Sequence, residues 1–418
     1  SIAFSGSVGG AEATASGIRT GDGSDRIENR GTLEVFTEAT TALGSSDATA
    51  TGIDAGHGTN IIRNDGTIDV TARSAVVIGS ARARAYGILT GDGNDDVTNA
   101  GSIRTSQTGI ATGISIETPG VAISTGGGSD RVTLEAGSVT RGIIDLGSGD
   151  DTVAFNGSLA VTGTVTGGAG SDTLVFSGDG ALGAPLSGFE AAVKNGTGTY
   201  AVSSLAPVRR LEMNGGTLAV AHGYPMPADG VFQARVNSDG SHGRFDVSGA
   251  AGLDGALNVL RGKGVYADGT RYPILTANTV NGWFTSETLP APVPLLSFSV
   301  AGFSDRVEVE AHAKSCTTVA TNPVQMRIAQ MLDKAMATAT GKTAEMLGEF
   351  QALPARDFQK AFASLNPGTY DRFRKTSVTA SRENIRSIHN RMTALRLTDP
   401  RHGAAVQARS FANTMSLF

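Results

Sequence analysis

A chain of 418 residues has room for two or three domains. Glycine is abundant at 56 residues, aromatics make up 6% and charged residues 17%, which points to a long, turn-dense β-structure with a narrow aliphatic core rather than to a disordered chain. Residues 1–180 hold 21 Asp and Glu against 10 Arg and no Lys, an acidic balance that argues against nucleic-acid binding there, whereas residues 322–418 hold 14 Lys and Arg against 7 acids. The N-terminal Ser1-Ile2-Ala3-Phe4 has neither the basic start nor the apolar core of a signal peptide and enters mid-pattern, so a processed or truncated piece of something longer is expected. Cys316 is the single cysteine, so no intrachain disulfide can form. No run of 18 apolar residues gives a segment the length of a membrane-spanning helix.

From residue 1 to 180 one pattern recurs in phase. A Gly-x-Gly-x-Asp turn starts at Gly21, Gly56, Gly91, Gly126, Gly147 and Gly168, first at intervals of 35 residues and then of 21. Its fifth position is Asp25, Asn60, Asp95, Asp130, Asp151 and Asp172, and two residues later stands Ile27, Ile62, Val97, Val132, Val153 or Leu174. Fixed roles at fixed spacing mark a solenoid, whose repeats cannot bury a core alone. Alternation around each aliphatic residue predicts a strand, and the glycines supply turn angles that other residues resist. Asn29, Asn64 and Asn99 fall in register, which predicts a stacked asparagine ladder. The interval fits one coil of a right-handed parallel β-helix, each coil rising roughly 4.8 Å. Two coils per 35 residues is the competing reading. The drop to 21 predicts that the coil narrows, losing a strand or a loop such as Thr37–Ala50.

The segment Gly167-Gly168-Ala169-Gly170-Ser171-Asp172-Thr173-Leu174-Val175 resembles the calcium-binding nonapeptide of secreted repeat toxins. That resemblance makes Asp130, Asp151 and Asp172 calcium candidates, carboxylates being suitable ligands for a hard cation. The competing expectation is that each aspartate binds amides of its own loop.

After Gly180 the phase is lost, and short strands alternate with glycine turns to about Thr321. A solenoid end exposes unpaired strand edges and needs a cap. The stretch "FDVSGAAGLDGALNVL…GTRYPILTANTVNGWF", residues 245–284, resembles the C-terminal end of bacterial type V autotransporter passengers. The resemblance implies a segment that closes the β-helix and assists its folding. The character changes at Asn322-Pro323, where Ile328, Met331, Leu332 and Ala335, and later Met346, Phe350, Leu353, Phe358, Phe362 and Leu365, recur at helical spacing. A further basic helix is predicted from about Thr369 to Leu397. "TNPVQMRIAQMLDKA" and "AFASLNPGTYDRFRKTSVTASRENIRSIHNRMTALR" are similar to the family's linker before its outer-membrane barrel, and the barrel's strands are missing from this chain.

No catalytic context surrounds His57, His222, His242, His312, His389 or His402, and neither a Gly-x-Ser-x-Gly elbow nor a His-Glu-x-x-His motif occurs. His57 occupies the turn position of Asp22 and Asp92 and reads as a turn residue. Asp95-Asp96 and Asp150-Asp151 resemble the clustered acids of polysaccharide-cleaving β-helices but lie in repeated turns.

The expected architecture is mostly β: a right-handed parallel β-helix over 1–180, its end and an autochaperone-like cap over 181–321, and an α-helical linker segment over 322–418. The resemblance implies a non-enzymatic, adhesin-like passenger at the bacterial cell surface or secreted, meeting a host or neighbouring cell, matrix or glycan. No catalytic residue and no cofactor are expected, calcium apart. A β-helical enzyme acting on polysaccharide and a calcium-dependent secreted repeat protein are the alternatives.

Overall fold

A computed structural model describes residues 2–365 together with 382–383, 385–388 and 390–391. The chain divides into two compact units, Ser1–Lys314 with Thr338–Ala352, and Ser315–Ala337 with Leu353–Phe418. The first is mostly β and largely parallel. It is built from short strands that each stack on the equivalent strand of the next coil, and the helices lie toward the C-terminus.

The predicted turn marks coincide with coil corners. Arg26–Asn29, Ile61–Asn64, Asp96–Asn99, Arg131–Leu134, Thr152–Asn156 and Thr173–Ser177 pair in parallel, each with the next. Their inward column is Ile27, Ile62, Val97, Val132, Val153 and Leu174, all buried. Each such side chain contributes about 1.5–3 kcal/mol on leaving water, and only with a neighbouring coil to cover it. The register is one coil per 35 residues, so the two-coil alternative does not hold.

The first coils owe their length to an arch. Thr32–Asp54 and Thr67–Leu89 are strands of 23 residues stacked in register from Thr32↔Thr67 to Asp54↔Leu89. Each doubles back at a glycine, Gly44 or Gly79, at φ +117° and +140°. Within the arch the Thr37 hydroxyl donates to the Thr49 carbonyl (3.2 Å) and the Ser46 hydroxyl to the Ala39 carbonyl (2.8 Å). Ala11, Ala13, Ala39 and Ala48 fill the narrow space between the limbs, where larger side chains would not fit.

In the fourth coil the strand Ser102–Ala111 lies on the outgoing limb Thr67–Val76, then folds back on itself as the antiparallel strand Ile114–Pro119. The chain rejoins the stack at Val121–Ser124, on Tyr86–Leu89. Beyond Gly126 the coils have no arch, in keeping with the expected loss of a segment like Thr37–Ala50.

Parallel stacking does not stop where the sequence phase does. One 11-stranded sheet runs from Arg26–Asn29 to Ser286–Thr288. Its later rungs, Thr173↔Ala191, Ala191↔Arg210, Arg210↔Val231, Val231↔Ala256 and Ala256↔Ser286, are separated by intervals that range from 18 to 30 residues. Variable loops between constant rungs hide the periodicity. Aromatic packing begins in the last repeats, where Phe155 and Phe176 stack and Phe176 meets Tyr200 of the next coil, and it continues in Phe232, which touches both Phe245 and Phe284. The pairing turns antiparallel at the end, where Arg306–Ala313 joins Thr270–Gly282 to Leu296–Gly302.

Helix α1 (Pro323–Met336) begins where predicted. Asn322 caps it, its side-chain oxygen accepting from the amides of Val324 (3.1 Å) and Gln325 (3.0 Å), with Pro323 in the first turn. Helix α2 (Gly341–Gln351) belongs to the β-rich unit. Gln351 brackets Tyr266, accepting from its amide (2.9 Å) and donating to its carbonyl (2.8 Å), and Gly348 allows the helix to reach the Gly264 backbone. Helix α3 (Phe358–Ser364) lies in the second unit. The predicted basic helix Thr369–Leu397 falls for the most part outside the described residues. Arg382, Glu383, Ile385–Ile388, Asn390 and Arg391 within it are helical.

Candidate functional site

The Gly-x-Gly-x-Asp corners bring the fifth-position residues into one buried column. The second glycine of each turn holds a backbone angle that other residues rarely adopt, and from Gly58 onward it has no room for a side chain: Gly149 sits at φ +129°, and a Cβ there would overlap the Gly128 carbonyl oxygen. This close approach stacks the corners so that a side chain of one coil reaches the backbone of another.

Asp130 Oδ1 accepts the Asp95 amide (2.8 Å), Asp151 Oδ1 the Asp130 amide (2.7 Å), and Asp172 Oδ1 the Asp151 amide (2.8 Å). Asn60 accepts the Asp25 amide (3.1 Å) and Asp95 the Asn60 amide (2.7 Å). Glu190 closes the series by accepting the Asp172 amide (2.8 Å), a residue absent from the repeat motif. The aspartates thus bind amides, as expected, but amides of the adjacent coil rather than of their own loop.

The second oxygens differ. Oδ2 of Asp25, Asp95, Asp130, Asp151 and Asp172 is buried with no hydrogen-bond partner among the described residues. Burial, joined by the neighbouring carboxylates, raises Asp151 to about 6, and burial also raises Asp130 and Asp172. Asn60 shows what suits this position: its Nδ2 donates to the carbonyls of Gly56 and Gly58 (3.3 Å each). A protonated aspartate presents an O–H where Asn60 presents N–H, and the weakened acidity of Asp130, Asp151 and Asp172 agrees with that form.

Calcium needs six to eight oxygens at about 2.3–2.6 Å. Each turn offers one uncommitted carboxylate oxygen, and the next lies a full coil away. Among the described residues no three His, Cys, Asp or Glu side chains converge as a metal-holding group. Asp130, Asp151 and Asp172 share a column, each with Oδ1 on an amide of the adjacent coil and Oδ2 uncommitted among the described residues.

The outer positions of the same turns form a second, exposed ladder. The His57 amide donates to Asp22 Oδ1 (3.2 Å), and His57 Nδ1 accepts the Asp92 amide (2.9 Å), which fits the turn role read from sequence. The Asp95-Asp96 and Asp150-Asp151 pairs split apart, Asp95 and Asp151 buried, Asp96 and Asp150 exposed. Each pair thus places one carboxylate inside the turn and one outside. At the next corner Asn29 donates to Asn64 (2.7 Å), Asn64 to Asn99 (2.8 Å) and Asn99 to the Thr140 hydroxyl (3.0 Å), the predicted ladder with a threonine at its end.

Two buried polar groups had no signal in the sequence. Lys194 is fully buried in a strand, and its Nζ donates to the carbonyls of Asn195 (2.8 Å) and Thr197 (3.4 Å). Burial lowers its pKa, with Asp179 opposing. Cys316 is buried in the second unit, its thiol pushed up to about 12 by burial and by Asp333, which makes it a poor nucleophile.

A scan against protein-family models matches none, and a search of curated proteins finds no match.

Proposed function

We propose that the chain is a non-enzymatic, adhesin-like passenger of the type V autotransporter kind. It would be a right-handed parallel β-helix displayed on the outer face of a bacterial outer membrane or released from it. The observation that carries this reading is the single parallel ladder from Arg26 to Thr288, beside a second sheet that turns antiparallel at Thr270–Gly282, within the stretch whose sequence resembles the autotransporter cap. In this reading residues 244–284 form the folding nucleus, and the repeated coils present a long surface to a host or neighbouring cell, matrix or glycan. The polar groups of the turns support it, because they are committed to holding coil on coil. The barrel translocator and the identity of the ligand follow from the resemblance alone.

The test has two readouts. Beads coated with residues 1–365 should bind saturably to host-cell, matrix or glycan surfaces. The same protein incubated with acidic and neutral polysaccharides should release no new reducing ends. Depolymerisation without saturable adhesion would replace the adhesin reading with the enzyme reading.

A further inference from the structure

The arch of the third coil is incomplete on one side. Its returning limb, Gly79–Ala85, pairs below with Gly44–Ala50. Above, pairing to the fourth coil ends at Val76↔Ala111 and resumes only at Tyr86↔Val121. The fourth coil supplies no returning limb because Ile114–Pro119 has folded back onto Ser102–Ala111 instead. A row of backbone groups is thus left without a strand partner among the described residues, and side chains stand in for one at two amides, Ser74 Oγ accepting from Arg82 (3.1 Å) and Gln107 Oε1 from Ala85 (3.3 Å), so an added strand would displace Gln107. The effect shows in burial: Ser46 and Ala48, each with a strand above, are buried, while the equivalent Ala81 and Ala83 are only half-buried.

A groove of about 410 Å³ lies over this edge. Ala81 and Ala83 line it on the limb side, and Gly109, Ile114 and Ile116 on the hairpin side. Ile114 and Ile116 are 64% and 62% exposed, an unusual placement for β-branched side chains within a sheet. The outward lip is cationic. The column beneath it reads Glu12, Asp47, Arg82, with acid below base. Arg84 reaches down to Asp47 (3.0 Å), and Arg82 forms no ion pair among the described residues.

We propose that this slot binds an extended acidic peptide, which adds as a strand on Gly79–Ala85 and completes the missing limb. Small residues of the peptide would face Ala81, Ala83 and the Ile114–Ile116 wall, and an outward Asp or Glu would meet Arg82. Main-chain bonds give such strand addition its affinity and alternate side chains its selectivity. The limb two strands below the empty slot shows the pattern in this chain's own sequence: Ser46-Asp47-Ala48-Thr49-Ala50 places small residues inward and Asp47 in the Arg82 column.

The experiment uses a fluorescein-labelled synthetic peptide, Ser-Ser-Asp-Ala-Thr-Ala-Thr, copied from residues 45–51. Anisotropy against the full chain should show saturable binding, and the amides of 79–85 should exchange more slowly when peptide is present. Proline in place of the peptide's central alanine should abolish binding. Arg82→Glu should weaken the peptide several-fold and strengthen a version with Lys in place of Asp, a swap that a merely misfolded variant would not produce. No saturable binding at millimolar peptide, or binding indifferent to proline and to the charge swap, overturns the proposal. Peptide-free dimerisation that Arg82→Glu abolishes would assign the slot to a second copy and overturn it as well.

Discussion

Up to Gly180 the β-rich unit is held by repetition. The same residue stands above itself coil after coil, the inward column is aliphatic, and buried polar groups bond along the stack, as in Asn29 to Asn64 to Asn99. After Gly180 the rungs persist but the repetition ends. Tyr224, Phe232, Phe245 and Phe284 interlock at differing angles, and the terminal strands turn antiparallel. A repeated coil depends on its neighbours for every buried group, whereas interlocked aromatics bury large area within a few strands. The difference teaches that one stack is held in two ways, by repeated columns up to Gly180 and by interlocking aromatic rings after it. Two unfolding transitions are expected, the later one belonging to the aromatic region.

That contrast can be broken by mutation, the largest effect first. Phe245→Ala should cost about 3–5 kcal/mol and lower the later transition. If it lowers the earlier one equally, the two regions melt as one and the contrast fails. Gly149→Ala should cost about 1–3 kcal/mol for the backbone angle alone, more with the overlap at Gly128, and should lower the earlier transition in a calorimetric scan. Asn64→Ala leaves the buried Asn99 side-chain oxygen without its donor and Asn29 Nδ2 with only the Thr67 carbonyl (3.3 Å), so about 1–3 kcal/mol is expected, again from the earlier transition.

The smallest effects concern the aspartate column. Asp151 is raised above its unfolded value to about 6, so its protonation favours the folded state. The stability tied to it is whole below about pH 4 and is lost as pH rises through about 6. Melts at pH 4.5, 6.0 and 7.5 should show the earlier transition falling with pH. Asp151→Asn, the residue already used at Asn60, should flatten that slope and match or exceed the parent at pH 7.5. An unchanged slope would remove the column from the account. Millimolar calcium should leave both transitions in place, and a calcium-dependent rise in the earlier one would restore Asp130, Asp151 and Asp172 as ligands.

What the sequence disclosed follows from what repeats. The turn glycines, the aliphatic column and the asparagine ladder were legible because stacking demands the same residue at the same phase. Continuation beyond Gly180 was not, since only the rungs are constant there and the loops between them vary from 18- to 30-residue intervals. The clasp of Gln351 on Tyr266 joins positions 85 residues apart, and no local pattern reports that. Lys194 reads as a surface cation until two backbone carbonyls are found around it. For the aspartates the sequence supplied the column but not the state of its second oxygen, which depends on burial and on the rung that Asn60 occupies.

The corner bonds of the inner column all run one way: the amide belongs to the earlier coil and the accepting side chain to the later one, from Asp25 and Asn60 up to Asp172 and Glu190. The exposed ladder of the same turns runs the other way, the amides of His57, Asp92, Ser129 and Ser171 donating to side chains of the earlier coil. A coil that forms without its successor leaves its buried amide unsatisfied, while a coil that forms on its successor finds the acceptor in place. Each corner is thus tied to both neighbours by side chains, its buried amide to the coil after it and its exposed amide to the coil before it, so a coil inserted or lost anywhere breaks one bond of each kind.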